Sequence, residues 1–178
     1  MSLLRPDETR GDEVYREELT SFWGWLGAVL FFGITIVFLV MFYIQRTYGP
    51  IGANPEPDWF YLLMPAFYLA IAILVMNFTK LTVTANPQGV TAAYGRFRHF
   101  EPWENIDGAE RDTTSALRSY GGWGIRFGWI RGGKTVLVYN IMGAPLLLLQ
   151  LKSGKRKYFG FSTRRPEQVV TIVNRWKK

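Results

Sequence analysis

The stretch TSFWGWLGAVLFFGITIVFLVMFYIQ, Thr20–Gln45, decides how the rest of the chain is read. Glu18 and Arg46 enclose 27 residues without one charge. A hydrocarbon layer about 30 Å thick takes roughly 20 apolar residues at about 1.5 Å of helix rise each. The run therefore predicts a spanning helix over 21–45. A second charge-free run, 21 residues between Asp58 and Lys80, predicts another over 59–78. Gly49, Pro50, Gly52, Pro55 and Pro57 make the connection a short loop. Trp23 and Trp25 open the first helix, Trp59 and Tyr61 the second; these rings suit the boundary between apolar and wet layers and are expected membrane-interface anchors. Gly24-x-x-x-Ala28 and Ala66-x-x-x-Ala70 predict close helix approach within the hairpin. The first run is longer than the ~7–15-residue core of a cleaved signal peptide, and its leading segment is acidic. We expect it to be retained.

Charge divides the chain the same way. Residues 1–20 carry −3, residues 21–78 carry −1 and residues 79–178 carry +11, for a net +7 over 178 residues. The basic excess belongs to the C-terminal part and favours an anionic neighbour. Arg5, Arg10 and Arg16 flank the first span, Lys80, Arg96 and Arg98 follow the second, and the loop holds Arg46 alone. The positive-inside bias predicts a multi-pass protein of the plasma or inner membrane with both termini cytoplasmic. The absence of cysteine excludes disulfides and thiolate chemistry, and one His argues against the common zinc sites.

Residues 1–20 read as a polar, solvated tail with some helix near Tyr15–Leu19. From Lys80 the period becomes that of a strand: Leu81, Val83 and Ala85 alternate with Lys80, Thr82 and Thr84. Asn86-Pro87-Gln88-Gly89 is a turn. Strands are expected over 90–94, 96–103, 123–127, 135–141, 146–151 and 156–161, with a bend over 104–111, a Gly132-Gly133 turn and a turn at 152–154. Pro166 starts a helix whose Val169, Ile172, Val173 and Trp176 share one face. Residues 79–178 are thus expected to form one domain of six or seven strands closed by a helix.

Three pieces of this domain carry a resemblance: Phe100-Glu101-Pro102-Trp103-Glu104-Asn105-Ile106; Tyr120-Gly121-Gly122-Trp123-Gly124-Ile125-Arg126; and Leu149-Gln150-Leu151-Lys152-Ser153-Gly154-Lys155 with Arg165-Pro166-Glu167-Gln168. Over residues 79–176 the chain resembles bacterial membrane-anchored proteins with a pleckstrin-homology-like (PH-like) domain. The resemblance implies a membrane hairpin carrying a two-sheet barrel of about seven antiparallel strands capped by a C-terminal helix. It implies binding or scaffolding rather than chemistry. Phosphoinositide-binding relatives carry Lys or Arg in the first hairpin loop; Asn86–Gly89 has none, so that recognition is not carried over.

Candidate chemistry is sparse. His99 has no partner visible in the sequence. Glu101 and Glu104, with Arg126, are the residues on which an alternative reading, a membrane-bound enzyme or lipid-modifying factor, would rest. Ser115 and Ser119 have no base. Trp103, Trp123, Trp129 and Trp176 fit core positions, which argues against a nucleic-acid stacking surface. The basic groups are the better candidates: Lys152, Lys155, Arg156, Lys157, Arg164 and Arg165, as contacts for lipid headgroups or a partner. The expectation is a non-enzymatic accessory or scaffold module, without cofactor, metal or small-molecule substrate. Its partners would be the anionic inner leaflet and other membrane proteins or a second copy.

Overall fold

The computed structural model describes residues 15–52, 54–112, 122–130 and 134–177. Arg5, Arg10, Ser115, Ser119, Tyr120, Gly121 and the Gly132-Gly133 turn lie outside the described residues. The chain divides into two compact units: Ser21–Thr79, and a discontinuous unit that joins Met1–Thr20 to Lys80–Lys178.

The first unit is a helical hairpin, α1 (Phe22–Tyr48) and α2 (Asp58–Met76). Both helices are long and apolar enough to cross a membrane. Ser21 caps α1, its Oγ accepting from Gly24 N at 3.1 Å. α1 runs three residues past the expected end and stops at Gly49-Pro50, where Gly49 has φ +104°. The helices are antiparallel, since Phe31 stacks on Tyr68 and Phe38 meets Phe60. Gly24 and Ala28 are buried where the helices meet, and a Cβ on Gly24 would stand 3.0 Å from Thr79 Cα. The Ala66/Ala70 pair is exposed instead. Tyr61, Pro65 and Ala72 form the buried stripe of α2, close to the i, i+4, i+11 positions of one helix face. Tyr61 is therefore only 4 % exposed and does not join Trp23, Trp25 and Trp59, which are 51, 49 and 62 % exposed. At the loop end Arg46 Nη1 pairs with Asp58 Oδ2 at 3.1 Å, and Gln45 Nε2 donates to Asp58 Oδ1 at 2.9 Å.

Among the described residues, the second unit holds two sheets and one α-helix. The four-stranded sheet runs β1 (Tyr15–Thr20), β2 (Lys80–Asn86), β3 (Gly89–Tyr94), β4 (Phe97–Pro102), all antiparallel. The five-stranded sheet has the order β5-β8-β9-β7-β6, with β5 (Ile106–Asp112), β6 (Gly124–Ile130), β7 (Lys134–Asn140), β8 (Leu146–Leu151) and β9 (Tyr158–Ser162). Among the described residues, eight strands after Lys80 replace the expected six or seven, β1 makes a ninth, and β7 and β9 run parallel. The sheets keep separate edges and do not close into a barrel.

Two of these strands correct the sequence reading. Tyr15–Thr20 is not a solvated or helical tail: it pairs with β2 from Tyr15↔Ala85 to Thr20↔Lys80. Its inward face is Tyr15, Glu17, Leu19, and a carboxylate in that row breaks the apolar alternation. Residues 106–112 are a strand, not a bend. β5 is an edge strand with mostly polar, half-exposed positions, so no apolar period marks it.

The sheets meet through Tyr94 and Tyr139, stacked with centroids 6.1 Å apart, and through His99 against Phe159 at 4.6 Å. Tyr94 Oη donates to the Asn140 carbonyl at 2.6 Å, and Ser162 Oγ donates to Asn140 Oδ1 at 2.9 Å, so these buried polar groups are satisfied. Helix α3 (Pro166–Trp176) buries Pro166, Val169 and Val173 and packs against β5. Trp103 is buried, its ring facing Trp176 at 6.4 Å and its Nε1 donating to the Asn86 carbonyl at 2.8 Å.

A candidate docking surface at the basic turn and the β6 edge

The loop between β8 and β9 carries Lys152, Lys155, Arg156 and Lys157. Leu151 N donates to the Lys157 carbonyl at 2.9 Å and closes it. It is clamped from two sides. Asn105, in the 3-10 turn after β4, accepts from Ser153 N at 3.0 Å and Ser153 Oγ at 2.7 Å through Oδ1, while its own carbonyl accepts from Lys152 N at 2.9 Å. Thr135 of β7 donates through Oγ1 to the Lys155 carbonyl at 2.7 Å, and its carbonyl accepts from Lys157 N at 3.0 Å. A loop that would otherwise move is thereby presented in one shape, with Lys152, Lys155 and Lys157 exposed and Arg156 half-buried.

Arg164 and Arg165 do not belong to this cluster. They follow the far end of β9, and seven extended residues from Lys157 to Arg164 span about 23 Å. They are exposed at the start of α3, where Arg164 N donates to Glu17 Oε1 at 3.0 Å. The six expected contact residues therefore split into a group of four and a group of two.

Beside the basic turn lies β6, which among the described residues has β7 as its one strand neighbour. Phe127 and Trp129 project from one side of it, at i and i+2, and are 72 and 75 % exposed. This overturns the core placement of Trp129: an edge strand has one neighbour, and here that neighbour offers only Thr135 opposite the indole. Trp123 is half-buried. The Arg156 guanidinium lies over the Phe127 ring, 5.6 Å from its centroid. Phe127, Gly128, Trp129, Thr135, Val136, Lys155 and Arg156 line a groove of about 210 Å³ with no carboxylate. Only the basic half of this surface was marked in the sequence. The alternation Ile125, Phe127, Trp129 is the signal for the rest, but it reads equally as a core face.

The residues of the enzyme reading are otherwise engaged. His99 does have a carboxylate partner: its Nε2 is 2.7 Å from Glu101 Oε1, and Asn105 Nδ2 donates to Glu101 Oε2 at 3.1 Å. The chain thus runs from His99 through Glu101 and Asn105 to the basic turn and holds that turn. Burial pushes the Glu101 carboxyl up, but the His99 and Asn105 hydrogen bonds, with the charge of Arg156, outweigh it and hold the group below its ordinary 4.5. The sign follows. A depressed folded value stabilises the fold above pH 4.5, and that contribution is lost as acid carries the pH down through the folded value. Acid titration followed by near-UV circular dichroism should show loss of tertiary signal starting below pH ~4.5, with a flatter acid limb in Glu101→Gln. An unchanged limb would mean that Glu101 does not anchor the turn. Glu104 and Arg126 are exposed, and among the described residues no ion pair joins Arg126 to either acid. The described residues hold no group of three His, Cys, Asp or Glu placed to bind a metal.

Comparison with protein-family models, curated proteins and solved structures gives no match to this chain.

Proposed function

We propose that this chain is a non-enzymatic interaction module on a two-helix membrane anchor, an accessory or scaffold subunit of a membrane protein complex. The observation that carries the reading is a rigidly clamped basic turn beside an edge strand with two solvent-exposed aromatic rings, Phe127 and Trp129. A surface of this composition is suited to recognition, since exposed aromatics and Arg are the groups that dominate binding. Among the described residues, the hydrogen-bonded pair His99 and Glu101 is engaged in holding the turn. The head is of PH-like type: two sheets meeting through Tyr94 and Tyr139, with a closing C-terminal helix.

The helices lie in the membrane as a multi-pass anchor. The pairing of β1 with β2 supports both termini on one side, because strands that share hydrogen bonds cannot be separated by a bilayer. The Lys and Arg count at the spans puts that side in the cytoplasm.

Purification in mild detergent at native expression tests the reading. The expected result is a companion membrane protein in fixed stoichiometry, with a photoreactive residue at Phe127 cross-linking to that protein or to lipid. A lone monomer that cross-links to nothing, lipid included, would count against it.

A further inference from the structure

We infer that the Phe127/Trp129 edge and the 152–157 turn together form a peripheral membrane-insertion site, whose occupant is a bilayer surface containing anionic lipid. The inference deepens the reading above by naming the partner of the same surface. Phe127 and Trp129 stand on one side of the edge strand β6, 72 and 75 % exposed, which leaves two large rings in water. An indole with an apolar body and a polar N–H is at home among lipid headgroups. The charge around the rings is of one sign. Lys152, Lys155 and Lys157 are exposed, Arg156 lies over Phe127, and no acid lines the groove. Rings that enter the headgroup layer, with lysines and a planar guanidinium at phosphate level, match an anionic leaflet in both polarity and charge.

Connectivity keeps such a surface available. One residue, Ser21, separates β1 from the first span, and three separate the second span from β2. Tethering on so short a leash replaces a bimolecular encounter by a local one, so a modest intrinsic affinity suffices. Covering β6 also resolves a liability, since an apolar edge strand left in water is a template for aggregation.

The absence of cysteine makes the test direct. A single nitroxide is placed at Phe127→Cys, and in a second sample at Gln168→Cys, exposed on α3 against the opposite sheet edge. The full chain is reconstituted in nanodiscs of phosphatidylcholine alone or with phosphatidylglycerol. In the anionic discs the Phe127→Cys label should be open to oxygen and shielded from a water-soluble nickel complex; the Gln168→Cys label should stay open to nickel. Lys155→Glu with Arg156→Glu should reduce the shielded population about tenfold, and Trp129→Ala should reduce it with the charge intact. Equal nickel access at Phe127→Cys in both discs overturns the inference. If a stoichiometric protein nevertheless cross-links there, the module reading stands and only the bilayer assignment falls. If nothing does, both fall.

Discussion

A chain of residues 80–178 alone will not fold, whereas the same residues preceded by Tyr15–Thr20 and a two-residue Asn-Gly turn will. The reason is the register of β1. Leu19 and Tyr15 are 1 and 4 % exposed, and they sit in the core from a strand that comes before both long apolar helices. Truncating one buried leucine to alanine costs about 2–5 kcal/mol. Removing the whole strand takes both side chains, six backbone pairings and the Glu17 carboxylate. That carboxylate accepts from Thr163 Oγ1 at 2.6 Å and from Arg164 N at 3.0 Å, and so fixes the start of α3. The sum reaches the total stability of an ordinary domain, about 5–15 kcal/mol. Thr20 and Lys80 lie directly opposite, so a two-residue loop can replace the whole helical hairpin. Far-UV circular dichroism with thermal melting separates the outcomes. The closed form should melt cooperatively and the 80–178 chain should show no transition. Equal, sharp transitions in both would show that β1 is dispensable.

Gly89→Ala should be nearly as damaging. Gly89 opens β3 directly after the Asn86 turn, where Asn86 Oδ1 accepts from Gln88 N and Gly89 N, each at 3.0 Å. A Cβ at this position overlaps the Glu101 carbonyl oxygen and stands 2.8 Å from both Phe100 Cε2 and Pro102 Cα. Two of these are backbone atoms of the paired strand and cannot swing aside. The expected cost is at or above the ~3 kcal/mol upper end for an added methyl in a packed interior. In a head of this size that lowers the melting temperature by roughly 12 °C or more. Because Glu101 holds the basic turn through Asn105, the variant should also loosen Lys152–Lys157, visible as faster amide exchange there. Gly128→Ala is the control: its Cβ would sit at an ordinary 3.8 Å from Val136 Cγ1, and it should melt within a few degrees of the parent. Similar losses from both substitutions would refute the steric account.

Both results bear on what the chain needs in order to present the proposed docking surface. The basic turn is held in place by contacts from β4, its 3-10 turn and β7. The 3-10 turn in turn depends on the Gly89–Pro102 pairing and on Trp103 reaching Asn86. A defect far from the surface should therefore appear as a change in lipid or partner binding.

Composition and period alone determined a good part of this molecule. Two uncharged runs longer than a bilayer is thick could only be apolar helices, and the α1 and α2 bounds differ from the expected ones by three residues at most. Short local patterns marked β2, β3, β4, β6, β7 and β9, a continuous apolar run marked β8, and the apolar face after Pro166 marked α3, because each signal lies within a few consecutive residues. The tertiary structure decided the rest. Tyr15–Thr20 became a strand because Glu17, polar and inward, finds Thr163 and Arg164 some 146 residues away. Trp129 is left uncovered by the rest of the head because β6 falls at the end of the strand order among the described residues, and strand order is not written in any local pattern. Periodicity reports which side chains share a face; whether another layer covers that face depends on contacts between residues distant in the chain.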